Sequence, residues 1–230
     1  MKPANLVDPR GPHWPALAAD TFSTMATALM EPSAPRLVLR QWAEHDRAPF
    51  AALNADPLVM EHLLAELTRA QSDAMVDRCI EQIDRDGYGL WAVEVRTSGE
   101  FIGFVGLAVP TWEAQFTPCT EMGWHLARSA WGHGYATEAA HAAAATAFDL
   151  LGLDDVVSFT TIGNLRSQRV MQRMGMKPTP SEDFDHPRVP DGPLRRHVLY
   201  RLSRADWERQ LPIPPPAPSQ GLAEIYQHGP

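Results

Sequence analysis

The sequence predicts a mixed α/β domain whose sheet is antiparallel at its start and parallel around a glycine turn. Three observations carry this. Residues 90–95 and 101–109 are two strand-like runs around Thr97-Ser98-Gly99-Glu100, a hairpin signal. An alanine-rich helical stretch, residues 137–151, lies between strand-like segments 121–126 and 156–162. A crossover helix makes the strands it joins parallel. Between the first of those strands and the helix stands Trp131-Gly132-His133-Gly134-Tyr135-Ala136-Thr137, a glycine-spaced turn that opens a helix.

The elements follow in order. Residues 36–41 read as a strand, 44–54 as a helix and 58–64 as a short helix. Thr68 and Gln71 have capping-box spacing, and Met75, Val76, Cys79, Ile80 and Ile83 form a helical stripe that Gly87 can close. After the hairpin, Glu121-Met122-Gly123-Trp124-His125-Leu126 alternates as a strand does. Gly152 closes the alanine-rich helix, residues 156–162 are β-branched, and residues 165–174 form a short helix ended by Gly175. Residues 197–202 make a last strand. Residues 1–34 carry Pro3, Pro9, Pro12, Pro15 and Pro32 and read as an irregular arm, with a short helix possible at 16–30. Residues 206–230, proline-rich at 212–218, read as an extended tail, which leaves the domain at 35–205.

Composition limits the function. A chain of 230 residues with 44% hydrophobic content buries a full single-domain core. The net charge of −8 opposes nucleic-acid binding, which wants a basic face. Cys79 and Cys119 lack a CxxC partner and read as reduced thiols of a cytoplasmic protein. No run reaches the roughly 18 apolar residues of a membrane span. No basic segment leads into an apolar core near the start, so neither membrane insertion nor secretion is expected. Neither a dinucleotide fingerprint nor a Walker lysine is present, and no metal is expected.

The turn at 131–137 is a candidate anion cradle. Its glycines let the backbone bend tightly, and the first free N–H groups of the helix, at the positive end of its dipole, face a bound anion. The same residues also suit a plain strand-to-helix connection. Asn164-Leu165-Arg166-Ser167 opens the following helix, with Asn164 as N-cap. An ordinary capped amphipathic helix fits these residues. So does a ligand site, because two parallel strands would each end in a helix N-terminus on one sheet edge.

Glu-Met-Gly-Trp at 121–124, Trp-Gly-His-Gly-Tyr-Ala-Thr-Glu-Ala at 131–139 and Asn-Leu-Arg-Ser at 164–167 together resemble the GNAT superfamily of acyl-CoA-dependent N-acetyltransferases. The nearest branch by these motifs is the RimJ/RimL type, and the resemblance spans about residues 36–203. It implies a mixed, mostly antiparallel sheet flanked by helices. The parallel pair 121–126 and 156–162 would be splayed apart, with acetyl-CoA in the gap. The backbones of Trp124 and Leu126 would pair with the pantetheine arm. Trp131, Gly132, His133, Gly134, Tyr135, Ala136 and Thr137 would hold the pyrophosphate, and Asn164 would contact the pantetheine from the other side. Two positions depart from the family pattern. Trp131 stands where Gln or Arg is usual. Met171 stands where many members carry the tyrosine that protonates the leaving thiolate. Ser167 matches a serine used in the RimL-type branch and is the nearest hydroxyl for that task.

An amine attacks a thioester only when neutral, and lysine-like amines near pKa 10.4 are mostly charged at neutral pH. A general base is therefore needed. Glu121 is the candidate, sharing a strand face with Gly123 and His125. His125 is a second candidate or a satisfied structural histidine, and Glu138 reads as a structural first-turn acid. Asp183, Asp185 and His186 lie in a stretch that related RimJ/RimL-type sequences place near the acceptor. They read either as an acidic, aromatic rim for a cationic amine or as a polar loop. The expected activity is acetyl transfer to a primary amine, of a small molecule or a protein N-terminus, by a monomer or homodimer. The alternative is a non-catalytic acyl-CoA-binding module of the same fold.

Overall fold

A computed structural model describes residues 30–210. The helix anticipated at 16–30 and the proline-rich stretch at 212–218 lie outside the described residues, Met30 excepted. The elements run β1 (Leu37–Arg40), α1 (Arg47–Asn54), α2 (Pro57–Met60), α3 (Arg69–Asp86), β2 (Leu90–Val95), β3 (Glu100–Ala108) and β4 (Glu121–Leu126). They continue as α4 (Tyr135–Ala145), β5 (Asp155–Thr161), α5 (Leu165–Arg173), β6 (Lys177–Pro178), β7 (Phe184–Asp185), β8 (Arg196–Ser203) and α6 (Arg204–Glu208). The strands form an 8-stranded sheet in the order β1-β2-β3-β4-β5-β8-β6, with β7 also on β8. Every pairing is antiparallel except β4 with β5. The mixed fold expected from the hairpin and the crossover helix is therefore present.

Local chemistry sets the helix ends. Thr68 Oγ1 accepts from the Gln71 N–H at 3.3 Å, and Gln71 Oε1 accepts from the Thr68 N–H at 2.9 Å. Gly87, at φ 76°, closes α3 in the left-handed conformation. Ala139, Ala140, Ala143 and Ala144 are buried on α4, and their small side chains let the helix lie against β3 and β4. Phe50, with Trp42, Phe101 and Phe104 around it, fills the opposite side beneath α1. A fully buried apolar side chain such as Phe50 contributes about 1.5–3 kcal/mol of transfer free energy. A smaller cluster of Phe116, Val157 and Leu199 lies under the segment joining β3 to β4.

Some elements differ from expectation. The helix anticipated to residue 64 stops at Met60, and the chain goes on in a turn whose Leu63 N–H donates to Met60 O at 2.8 Å. The alanine-rich helix starts two residues early, at Tyr135, since Gly134 at φ 79° serves as its N-cap. Its end widens into a π-turn over Thr146–Leu150, where Leu151 N–H bonds to Thr146 O at 2.9 Å. The 181–188 stretch holds a short strand, with Phe184 opposite His197 and Asp185 opposite Arg196. A further helix, α6, is capped by Ser203, whose Oγ accepts from the Asp206 N–H at 3.1 Å. Among the described residues, no helix is long and apolar enough to cross a membrane.

Candidate active site

The parallel pair is joined at one place. β4 and β5 share the single register Glu121↔Val157, with Val157 N–H donating to Thr120 O at 2.9 Å. Beyond it the strands part, while β4 stays paired to β3 along its whole length. Backbone groups point alternately to the two sides of a strand. Thr120 faces β5, so Trp124 and Leu126 turn their N–H and C=O groups into the gap. An unpaired buried peptide group is costly, so such an edge favours a ligand with peptide-like partners. Leu126 O is already taken by Trp131 Nε1 at 2.9 Å. A Cβ built on Gly123 would meet nothing nearer than Glu121 Oε1 at 4.0 Å, so the strand there fronts open space. The gap belongs to a cavity of about 560 Å³.

At one end of this cavity lies the glycine turn. Gly132 and Gly134 have φ of 81° and 79°, a conformation that glycine adopts without a side-chain penalty. The first intrahelical bond of α4 runs from Glu138 N–H to Gly134 O at 3.0 Å. The N–H groups of Tyr135, Ala136 and Thr137 make no hydrogen bond among the described residues, so all three are available to an anion. The turn is fixed from behind. Arg36 Nη2 donates to His133 O at 3.0 Å and Arg36 Nε pairs with Glu138 Oε2 at 2.7 Å, which gives Glu138 its structural role. His133 stacks on Tyr135 at 5.4 Å.

The start of α5 forms the facing wall. Asn164 Oδ1 accepts from the Ser167 N–H at 3.2 Å, the N-cap bond. Asn164 Nδ2 donates to Thr160 Oγ1 at 2.9 Å and to Ser167 Oγ at 3.1 Å. Trp124 Nε1 also donates to Ser167 Oγ, at 3.3 Å. The serine oxygen thus accepts two hydrogen bonds, and its own O–H is left to donate into the cleft. Three residues singled out by the sequence, Trp124, Asn164 and Ser167, meet here. Met171 is 1% exposed and packs in the core.

On the other face of β4, Glu121 and His125 have different fates. Asn54 gives its amide to Ser72 Oγ at 2.9 Å, so its oxygen accepts from His125 Nε2 at 3.0 Å. Burial pushes His125 down to about 4, which keeps it neutral and structural. Glu121 makes no hydrogen bond or ion pair among the described residues, and burial pushes its carboxyl up to about 7. Trp112, Phe159, His186 and His197 line the same cavity as Glu121. Burial, with His197 and Arg188 adding to it, pushes His186 down to about 4. Asp183 and Asp185 are elsewhere. Asp183 Oδ1 accepts from the Leu199 N–H at 3.0 Å and Asp185 pairs with Arg196 at 3.5 Å. Both line a separate hollow, because pairing with β8 holds this stretch against the sheet. Of the three rim candidates, His186 alone reaches the main cavity. Sequence reasoning missed Trp112, Phe159, His197 and the arginines Arg166, Arg169 and Arg173, which also line it. Only the arginines left a signal, their i, i+3, i+7 spacing along α5.

A splayed parallel pair, a glycine turn feeding a helix and a capped second helix are what relatives would share. Residues 36–177 match the family model of the acetyltransferase (GNAT) domain. The chain belongs to the GNAT acetyltransferase family. It is 30% identical over 175 residues to an FsC-acetyl coenzyme A-N(2)-transacetylase of Aspergillus fumigatus, covering 72% of this chain and 73% of that one. A GNAT-family acetyltransferase structure from Bacillus anthracis superposes with TM-score 0.64 at 19% identity, over 76% of this chain and 99% of that one. A spermidine N-acetyltransferase from Vibrio cholerae, in complex with CoA and spermine, gives 0.59 at 15%, over 75% and 98%. GNAT enzymes use acetyl-CoA. In this GNAT domain, Trp131 occupies the turn position where Gln or Arg is anticipated. Its indole faces the Arg166 guanidinium at 4.4 Å, and Arg166 also pairs with Glu61 at 2.6 Å. A cation therefore reaches the turn from α5 instead of from the turn itself.

Proposed function

We propose that this acetyltransferase moves the acetyl group of acetyl-CoA to a primary amine by direct attack in a ternary complex. The observation that carries the reading is Glu121, a carboxyl unpaired among the described residues and pushed up by burial to a pKa of about 7, at the point where β4 and β5 part. A base poised near the operating pH is the most effective proton acceptor for an ammonium-forming attack. The amine nitrogen attacks the thioester carbon, and the C–S bond breaks as the tetrahedral intermediate collapses. Glu121 takes the proton released from nitrogen, directly or through a water. The Ser167 O–H donates to the departing thiolate, its oxygen being already satisfied by Asn164 and Trp124. Burial pushes the thiols of Cys79 and Cys119 up to about 12, which argues against a cysteine-bound acyl intermediate.

In this reading the peptide groups of Trp124 and the N–H of Leu126 meet the pantetheine amides, Leu126 O being held by Trp131, and Asn164 closes over the arm from α5. The turn from Trp131 through Thr137 takes the pyrophosphate on its free N–H groups, supported by Arg166. The motifs at 121–124, 131–139 and 164–167 support a place in the RimJ/RimL-like branch.

Calorimetric titration with acetyl-CoA, combined with coenzyme-consumption assays across N-terminal peptides and small amines, tests the proposal. Glu121→Gln is expected to lower kcat at least about 100-fold while leaving coenzyme affinity intact. Coenzyme binding without turnover on any amine would instead identify a non-catalytic acyl-CoA module.

A further inference from the structure

The acceptor side of the cavity has a composition that selects among amines. Register and pleat put Glu121 and, across the gap, Val157 and Phe159 on one sheet face, since paired residues in a parallel ladder share a face. Phe159 stands opposite Leu199 on β8, with His197 one register step further in the pleat. Trp112, from the segment joining β3 to β4, packs over this surface. Its ring lies 4.7 Å from His186, 5.5 Å from Phe159 and 5.4 Å from Phe184, stacked on the last. His186 and His197 are 5.1 Å apart, and burial lowers both from the ordinary histidine value, so at neutral pH they act as neutral rings. Val109, Pro110, Val189 and Leu194 complete an apolar lining.

Charge is sparse here and of one useful kind. Among the described residues lining the cavity, Glu121 is the one carboxylate. It is also the group that must take a proton. Asp183 and Asp185, the nearby acids, are committed to the Leu199 N–H and to Arg196. Arg188 donates to Thr111 Oγ1 at 2.9 Å on the same wall. A second or third ammonium group on an acceptor would find no further carboxylate among the described residues that line this chamber. Desolvating an uncompensated charge is strongly unfavourable. An aromatic or apolar body, by contrast, gains contact with Trp112 and Phe159.

We propose that the acceptor is a monoamine carried on an aromatic or apolar body, seated on Trp112 and Phe159 with its nitrogen toward Glu121. Polyamines and aminoglycosides are poor substrates. The inference rests on the acetyltransferase reading above, and it separates this chain from the spermine-bound neighbour of the same fold.

The test compares 2-phenylethylamine, spermidine and kanamycin as acceptors at fixed acetyl-CoA. The expected result is a kcat/KM for 2-phenylethylamine at least about 10-fold above the other two, a difference of about 1.4 kcal/mol. Trp112→Ala should raise KM for 2-phenylethylamine more than it lowers kcat, and Trp112→Phe should restore most of the loss. Spermidine or kanamycin turning over as well as 2-phenylethylamine overturns the inference and leaves the transferase reading standing. Absence of turnover on all amines while acetyl-CoA binds removes the transferase reading, and this inference with it.

Discussion

Glu121 and His125 lie two positions apart on one strand face, yet burial drives them toward opposite uses. His125 loses its proton affinity and gains a fixed partner in Asn54, so it holds β4 against α1. Glu121 gains proton affinity and has no partner among the described residues, so it titrates where an amine base is wanted. A base with its value near 7 makes kcat/KM climb about tenfold per pH unit below that value and level off above it. Folding carries the opposite signature. The carboxyl rises from 4.5 to about 7 in the fold, so the folded state binds the extra proton between those values. Glu121 then reduces stability progressively as pH climbs from about 4.5 to 7. Thermal melts of Glu121→Gln against the parent protein should show a higher Tm for the variant at pH 8 and no gain at pH 4. Equal melting at pH 8 would show that the carboxyl titrates normally.

Among the elements, α5 does the most with the fewest residues. Its capped start builds the Asn164–Ser167–Trp124 network, its inner face buries Met171 and Met174, and its outer face carries Arg166, Arg169 and Arg173. Arg169 and Arg173 are exposed and make no hydrogen bond or ion pair among the described residues, in a chain of net charge −8. Such uncommitted cations on the cavity wall suit a polyanionic coenzyme. Replacing both with glutamine should weaken acetyl-CoA binding several-fold at low salt. The difference should shrink at 0.5 M salt, where charges are screened within about 4 Å. Calorimetry at two salt concentrations reads both effects.

The same elements show what the sequence discloses. The α3 capping box, the α5 N-cap at Asn164 and the stops at Gly87 and Gly175 were legible because the groups that make them are neighbours in the chain. β7 was not, since two residues carry no alternation and exist as a strand only through β8. Asp183 looked like a rim acid for the same reason: its partner, the Leu199 N–H, lies 16 residues away. Trp112 sits in a segment without periodicity, and its role depends on Phe159, Phe184 and His186, far along the chain. Glu121 was legible as a candidate because strand parity alone gave its face.

For the whole molecule, β1–β4 and β5–β8 are two half-sheets joined by the single register Glu121↔Val157. A coenzyme that contacts both halves should tie them together. Acetyl-CoA at 100 times its Kd is expected to stabilise the fold by about 2.7 kcal/mol, seen as a concentration-dependent rise in Tm. Hydrogen exchange should slow at Trp124 and Leu126 on binding. The free edge of β4 carries one more consequence. Exposed sheet edges invite other chains to add on, and proteins usually guard them with charge, proline or a bulge. This edge is instead enclosed on three sides, by β5, α5 and the glycine turn, so a folded neighbour cannot dock along it. What fits is a thread one strand wide that carries its own amides. The wedge is therefore a size filter as well as a binding groove, and it keeps an unguarded strand from becoming a seed for aggregation.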